Sequence, residues 1–526
     1  MYENILKNCD GAPPEVRATE PMEIGKGVIE ESTFRAIEVD SLFDSINQCK
    51  TTIGQAVLYR SLTRPLAEIT KIQAKQAAVK ELAANSTLHE QLKNLVDTAA
   101  SDEKSFYDLC FGKFVGALGK TSHDLELDGY GYDQYIKGTE FICGMATSAQ
   151  SLPAPESAYL KGLLDQISGF AETRIYRLMQ GPAYRTEKEL LTREERKWYI
   201  PALKFTPSLI KPVLLLVIGT LFVFAAQAVP AIGPMLMLFA LPILMIYPPI
   251  VGGTDRDSCI YPLRDLYKNS EEVQETLEAL GELDELLCFQ RIADSYGSQA
   301  VLPEMSTAKR HHGILEGVKN PILAQSIEDY VANDIELQGS HLTFITGPNS
   351  GGKTAFCKSL AQVQLMAQIG CYIPAEMAQL TVADRIFYQV PEISHLEDGE
   401  GRFGTELKRT RDIFLAVSPE SLVILDELSE GTTHEERLET SYNVLKGFYK
   451  IGNNTVLITH NHQLVDKFQE ENIGQCLQVE FAGESPTFRL VPGISRISHA
   501  EQVARNIGFS KEDIEKYAAE KSERRA

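Results

Sequence analysis

Apolar positions recur at helical spacing from Ile37 to about Ala100. Leu42, Phe43 and Ile46 fall on one face of a first helix, and Ile53, Val57, Leu58 and Leu62 on one face of a second. Pro65 interrupts the period, which Ile69, Ile72, Ala77, Val79 and Leu82 then resume. The residues before about 30 are polar and contain prolines, the pattern of a loose lead-in. Residues 101–205 read as mostly helical and charged, with Gly129–Asp133 as a loop and Glu187–Lys197 (EKELLTREERK) as a solvated helix face.

Charge then disappears. Residues 212–254 contain no Asp, Glu, Lys or Arg. Two apolar runs, Val213–Val229 and Ala231–Val251, flank a turn marked by Pro230, Gly233 and Pro234, and each run is close to the ~20 residues that a membrane span requires. Lys204, Lys211, Arg256 and Arg264 lie on the two flanks, while the turn carries no positive charge. The positive-inside bias therefore predicts a two-span hairpin in a cell membrane, touching lipid over 212–251, with both termini on the cytoplasmic side. Beyond Asp255, the residues Leu277, Leu280, Leu283, Leu286 and Leu287 form one apolar helical stripe. His311 and His312 are adjacent; neighbouring side chains diverge on a helix or strand, so no metal pair is expected there. From His341 onward, short apolar runs alternate with helical periods, the pattern of a parallel α/β sheet.

At 526 residues the chain is too long for one core at ~150 residues per domain. A formal net charge of -21 argues against a broad polyanion-binding surface. The nine cysteines are scattered without a CxxC pair, which indicates neither a zinc site nor a disulfide framework and fits a reducing compartment. The start, MYENILKNCDGAPPEV, has no basic-then-apolar leader pattern.

The candidate chemistry lies in the alternating half. Leu342–Thr346 reads as a strand that runs into Gly347-Pro348-Asn349-Ser350-Gly351-Gly352-Lys353-Thr354 and then a helix, the context of a phosphate-binding loop. Its glycines let backbone N–H groups converge on phosphate oxygens, and the helix adds its positive end. Lys353 can reach β- and γ-phosphates as a point charge, and Thr354 can offer a hydroxyl to Mg²⁺. Ser421–Leu425 is a continuous apolar strand ending in Asp426-Glu427. Asp426 is placed to hold Mg²⁺ through water and Glu427 to polarise the attacking water. A further strand, Thr455–Thr459, ends at His460. Parallel strands bring their carboxyl ends to one edge, so His460 can sense a γ-phosphate, whereas His462 reads as polar surface.

These segments resemble the ATPase of the MutS mismatch-repair family. The resemblance is carried by the phosphate loop, LMAQIGCYIPAE (Leu365 to Glu376), Ala383–Phe387, Phe403-Gly404-Thr405-Glu406-Leu407, LVILDEL before Gly431-Thr432, and Thr459-His460. It extends to Asp329–Asn333, which would let Tyr330 stack on adenine, and to Leu490–Gly493 through Gly508, which is similar to the family's dimerisation region. Thr51–Gly54 through Arg64-Pro65-Leu66, Ala78–Leu82 and Leu277–Leu287 resemble its helical core and lever.

The resemblance implies an α/β P-loop ATPase domain (MutS/ABC-like) plus an all-α lever/core domain, with the transmembrane helical hairpin inserted where the family carries a DNA clamp. The expected organisation is a lead-in over 1–34, the first part of the core and lever over 35–205, the hairpin over 206–254 and returning lever helices over 255–310. The ATPase domain follows over 311–488 and a C-terminal helical dimerisation segment over 489–526. The implied function is binding and hydrolysis of ATP with Mg²⁺ by a membrane-tethered homodimer that couples nucleotide state to lever movement. The alternative is a membrane scaffold or remodelling ATPase acting on a protein or lipid partner without nucleic acid. An LSGGQ-type signature is absent, which argues against an ABC transporter.

The lever-like region begins near residue 35, which leaves no room for a mismatch-reading domain. Gly401 stands where the family has a serine two residues before Phe403, and Ser429-Glu430 where it usually has Gly-Arg. DNA binding is therefore expected to be weak, salt-dependent and indifferent to a mismatch.

Overall fold

The helical periods become helices packed on their apolar faces in the computed structural model. It describes the chain apart from residues 1–4, 6–11, 117–118, 188, 229–244, 328, 349–350, 392–400, 429–433, 484, 497–507 and 524–526. Two compact units emerge. One comprises Met1–Thr19, Gln48–Tyr59 and Ala77–Cys288, the other Glu20–Asn47, Arg60–Gln76 and Phe289–Ala526.

The first unit is helical. Ser86–Phe111, Tyr132–Gln150, Ala158–Gly169 and Arg174–Gln180 bury Leu92, Val96, Ile142, Leu160 and Leu178. Asn85, Ser157 and Thr173 each accept a backbone N–H at the start of their helix, satisfying donors that would otherwise be orphaned. At the start of helix Thr52–Thr63, Thr51 Oγ1 accepts Gly54 N at 2.9 Å, and two carboxylates from elsewhere in the unit hold the entering chain. Asp284 accepts the N–H groups of Lys50 and Thr51 at 2.7 and 2.8 Å, and Glu103 accepts that of Thr52 at 2.5 Å. Burial pushes the Glu103 carboxyl up against these bonds, and the helix's positive end favours its anion. The stripe from Leu277 to Leu287 is buried on helix Glu271–Tyr296, as its spacing predicts.

Glu187–Lys197 is not a helix. Leu190–Leu191 pairs antiparallel with Ala183–Arg185, which also pairs with Leu203–Phe205. Thr192 N donates to Glu195 Oε2 at 2.8 Å and Glu195 N to Thr192 Oγ1 at 3.3 Å. This reciprocal pair closes a turn, and Arg174 clamps it by donating to Glu195 Oε1 at 2.6 Å. The charges thus serve a local turn.

The expected two-span membrane hairpin is overturned. No helix among the described residues is long and apolar enough to cross a membrane. The apolar helix Pro212–Ala228 has 17 residues. Over these described residues it runs about 25 Å at 1.5 Å per residue, against a hydrocarbon core of ~30 Å. Residues 229–244, with the expected turn and most of the second run, lie outside the described residues. The helix over 245–255 continues through a π-turn, Arg256–Ile260, into Tyr261–Lys268. Lys211 and Asp255 join the bases of the two helices at 2.7 Å, and Tyr132 OH also donates to Asp255 at 2.6 Å. Absence of charge measures apolarity but not helix length. The membrane location, the lipid contact over 212–251 and the two-span topology fall with the hairpin.

In the second unit, apolar runs become a central sheet. Its strands are β1 (Leu342–Thr346), β2 (Ile386–Gln389), β3 (Leu422–Asp426), β4 (Asn454–Ile458), β5 (Gln475–Ala482) and β6 (Ser485–Pro492), in the order β2-β3-β4-β1-β5-β6. The first five are parallel and β6 runs antiparallel at the edge. Every residue of β1 and β4 is buried, as a parallel strand covered on both faces requires. The helices α1 (Lys353–Gln368), α2 (Gly401–Ala416), α3 (His434–Ile451) and α4 (His462–Glu470) connect the strands. Phe344, Val423, Leu457, Leu445, Phe448 and Phe468 form the core around them. Residues Val28 to Thr33 edge this sheet: Ile386 N donates to Val28 O at 2.7 Å and Tyr388 N to Thr33 Oγ1 at 3.1 Å.

Candidate functional site

The loop between β1 and α1 is fixed by its surroundings as much as by its own glycines. A Cβ at Gly351 would stand 2.7 Å from Val479 Cγ2 of β5, so the loop packs too closely on β5 for any side chain. Gly352 has φ +79, a left-handed turn that aims the first N–H groups of α1 outward. Lys353 is 2 % exposed. Its Nζ donates to Gly347 O at 2.7 Å and Pro348 O at 2.8 Å, which leaves one N–H for an incoming anion. Burial pulls its pKa down to about 8, against the attraction of Asp426 and Glu427, so the ammonium stays mostly charged at neutral pH. Asn349 and Ser350, the other expected loop contacts, lie outside the described residues.

The strand order places the carboxyl ends of β1, β3 and β4 on one edge. There Thr354 Oγ1 donates to Asp426 Oδ2 at 2.9 Å. The next residue, Glu427, has φ +62 and donates its N–H to Ile458 O at 3.0 Å. A left-handed glutamate is uncommon, and here the conformation turns the side chain toward His460, whose Nε2 lies 3.5 Å from Glu427 Oε1. Among the described residues no group of three or more His, Cys, Asp or Glu side chains could hold a metal unaided. A hydroxyl and one carboxylate fit Mg²⁺, which keeps waters and takes phosphate oxygens for the rest of its shell.

Tyr330 sits beside the second turn of α1. Burial pushes its phenol up, against hydrogen bonds with Ser359 and the Asn320 backbone. The segment after Asp426-Glu427, Ser429 to Thr432, lies outside the described residues. Two residues beside the loop carry no sequence signal. Val479 backs Gly347 and Gly351, and Phe488 of β6 brings Cδ1 within 3.3 Å of a Cβ built on Gly352. Asn333 holds this edge, donating to Phe488 O at 3.0 Å and accepting Leu490 N at 2.7 Å. Of these residues only Asn333 lies in a segment that the sequence singles out, Asp329–Asn333.

Family models for MutS domain III and MutS domain V match residues 22–109 and 343–524. Similarity also runs along most of the chain, at 27% identity to the DNA mismatch repair protein MutS of Caldicellulosiruptor bescii, covering 92% of this chain and 60% of that relative. The chain belongs to the MutS family. The MutS protein of Caldicellulosiruptor saccharolyticus is 26% identical over the same shares, 92% and 60%. That of Prochlorococcus marinus is 30% identical over 46% of this chain and 28% of its own length. The chain therefore spans less than two thirds of the length of these relatives. Membership fits the architecture seen, an α/β domain with a helical domain.

Proposed function

We propose that the second unit is a Mg²⁺-dependent ATPase of MutS type. The observation that carries this reading is the Thr354–Asp426 hydrogen bond, which brings the phosphate loop and the β3 carboxylate together beside Glu427 and His460. Lys353 and the backbone N–H groups of the loop around Pro348, those of Gly347, Asn349, Ser350, Gly351 and Gly352, bind the triphosphate. Thr354 and Asp426 hold Mg²⁺, which when bound neutralises charge growing on the phosphates. Glu427 takes a proton from the attacking water. The water oxygen bonds to the γ-phosphorus, and the bridging P–O bond breaks with its electron pair leaving on ADP. His460 senses the γ-phosphate, and Tyr330 stacks on the adenine.

The same reading makes the chain a homodimer in which nucleotide state moves the helical unit. DNA is the proposed ligand of that movement, since the relatives are named for DNA mismatch repair. The net charge of -21 supports weak, strongly salt-dependent binding.

The test is ATP binding and turnover by the whole chain. Glu427→Gln is expected to bind ATP and lose turnover by about a hundredfold or more. Lys353→Ala is expected to lose tight ATP binding. Undiminished turnover in the Glu427 variant would remove Glu427 as the base, and absence of Mg²⁺-dependent hydrolysis by the wild type would reject the ATPase reading.

A further inference from the structure

Glu427 and His460 share one cavity of about 140 Å³ with Arg437, Ser441, Thr459 and Asn461. Ser441 comes from α3 and Asn461 from the start of α4, so its far wall is built from elements outside the phosphate loop. Ser441 is 1 % exposed, and its Oγ meets no protein partner. Asn461 Oδ1 caps α4 by accepting Leu464 N at 3.1 Å, whereas its buried Nδ2 meets no protein partner. A buried hydroxyl and amide are costly to leave unpaired, and in folded proteins such groups are met by protein or by ordered water. The volume admits several waters at ~30 Å³ each, and the lining combines polar side chains with Leu428, Leu457 and Leu464.

We propose that this cavity is a water chamber that supplies the attacking water beside Glu427, with Ser441 and Asn461 as the positioning residues that hold it. The proposal rests on the ATPase reading above. A water held by Asn461 Nδ2 donates onward to Ser441 Oγ or to a second water. The water nearest the strand edge donates to the Glu427 carboxylate and keeps a lone pair for the γ-phosphorus. Each turnover consumes one water and passes one proton to Glu427. The chamber replaces that water from the side of α3 and α4, without release of the bound nucleotide.

Valine and threonine have nearly the same shape and differ by a hydroxyl, so Ser441→Val and Ser441→Thr form a matched pair. Asn461→Ser keeps a cap acceptor and removes the amide donors. Single-turnover ATP hydrolysis is expected to slow about tenfold or more in Ser441→Val and Asn461→Ser. Ser441→Thr is expected near wild type, and ATP affinity within about twofold throughout. Crystals of the nucleotide-free wild type are expected to show ordered water between Ser441 Oγ, Asn461 Nδ2 and the Glu427 carboxylate, and those of Ser441→Val to lose it. Wild-type rates in both slowed variants, a dry chamber in the wild type, or an equal loss of ATP affinity would each overturn the proposal. A wild type that hydrolyses no ATP rejects the ATPase reading instead, and the water positions still decide whether the chamber exists.

Discussion

Thr354 Oγ1 donates to Asp426 Oδ2 at 2.9 Å, joining the start of α1 to the end of β3 across the intervening β4. The bond orients both oxygens toward one point. Asp426→Asn keeps the shape and removes the charge that a divalent cation needs. The Mg²⁺ concentration for half-maximal ATP hydrolysis is expected to rise at least about tenfold in Asp426→Asn. A Mg²⁺ titration of steady-state turnover checks this, and an unchanged midpoint would take Asp426 out of the metal shell.

His311 links stability to pH. It is fully buried, with Nε2 3.4 Å from Gln364 Oε1 and Nδ1 3.2 Å from Asn454 Nδ2. An amide nitrogen donates, so Nδ1 accepts and Nε2 carries the proton; a second proton would face a donor. Burial holds the pKa down at about 4, against the usual 6.5. Between these values the unfolded chain binds more protons than the folded one. Stability is therefore intact above pH 6.5, falls as pH drops toward 4, and levels off below. This group alone accounts for about 3 kcal/mol. His311→Gln is expected to flatten the slope by about 2 kcal/mol of that between pH 7 and pH 4.5, read from urea unfolding at the two pH values. A slope equal to wild type would show that His311 does not carry it.

The strands and the residues at their ends were legible because both are local. Leu342–Thr346 and Ser421–Leu425 are continuous apolar runs ending in residues with few other uses, and the structure places them two strands apart on one edge. The left-handed backbone of Glu427 was not legible, because its N–H is held by Ile458 on a neighbouring strand. Thr192 and Glu195 misled in the opposite way: their charged context suggests a helix face, while their spacing of three closes a turn. The charge-free run at Val213 gave hydrophobicity, while no helix among the described residues is long and apolar enough to cross a membrane.

Gln368 tests how the phosphate-loop helix is held. It is fully buried at the end of α1. Its Oε1 accepts Ala383 N at 3.0 Å, and its Nε2 donates to Leu66 O at 2.8 Å and Ala383 O at 3.0 Å. Gln364 Nε2 also donates to Oε1, at 2.8 Å, so Gln368→Leu keeps most of the volume but removes the acceptor of two N–H donors and the donor to two carbonyls. A loss of about 3 kcal/mol is expected in urea unfolding. A loss below about 1 kcal/mol would mean that the backbone groups find other partners.

Phe488 has φ +63 and is 49 % exposed, an unfavourable backbone that its half-buried ring does little to offset. For a bulky residue the left-handed region costs about 1–2 kcal/mol. Asn333 enforces it by bonding Phe488 O on one side and Leu490 N on the other. The outcome is an aromatic face beside Gly352, where the phosphate loop enters α1. Strain kept at such a place is explained if a ligand uses it, and a flat ring suits a nucleotide base. Phe488→Gly relieves the backbone and removes the ring. Stability is expected to rise by about 1 kcal/mol while ATP affinity falls about tenfold, the scale of one base–aromatic stack. Tripolyphosphate, which has no base, is expected to bind as it does to the wild type. Equal weakening of ATP and tripolyphosphate would make Phe488 a support for the loop, and a loss of stability would remove the strain argument itself.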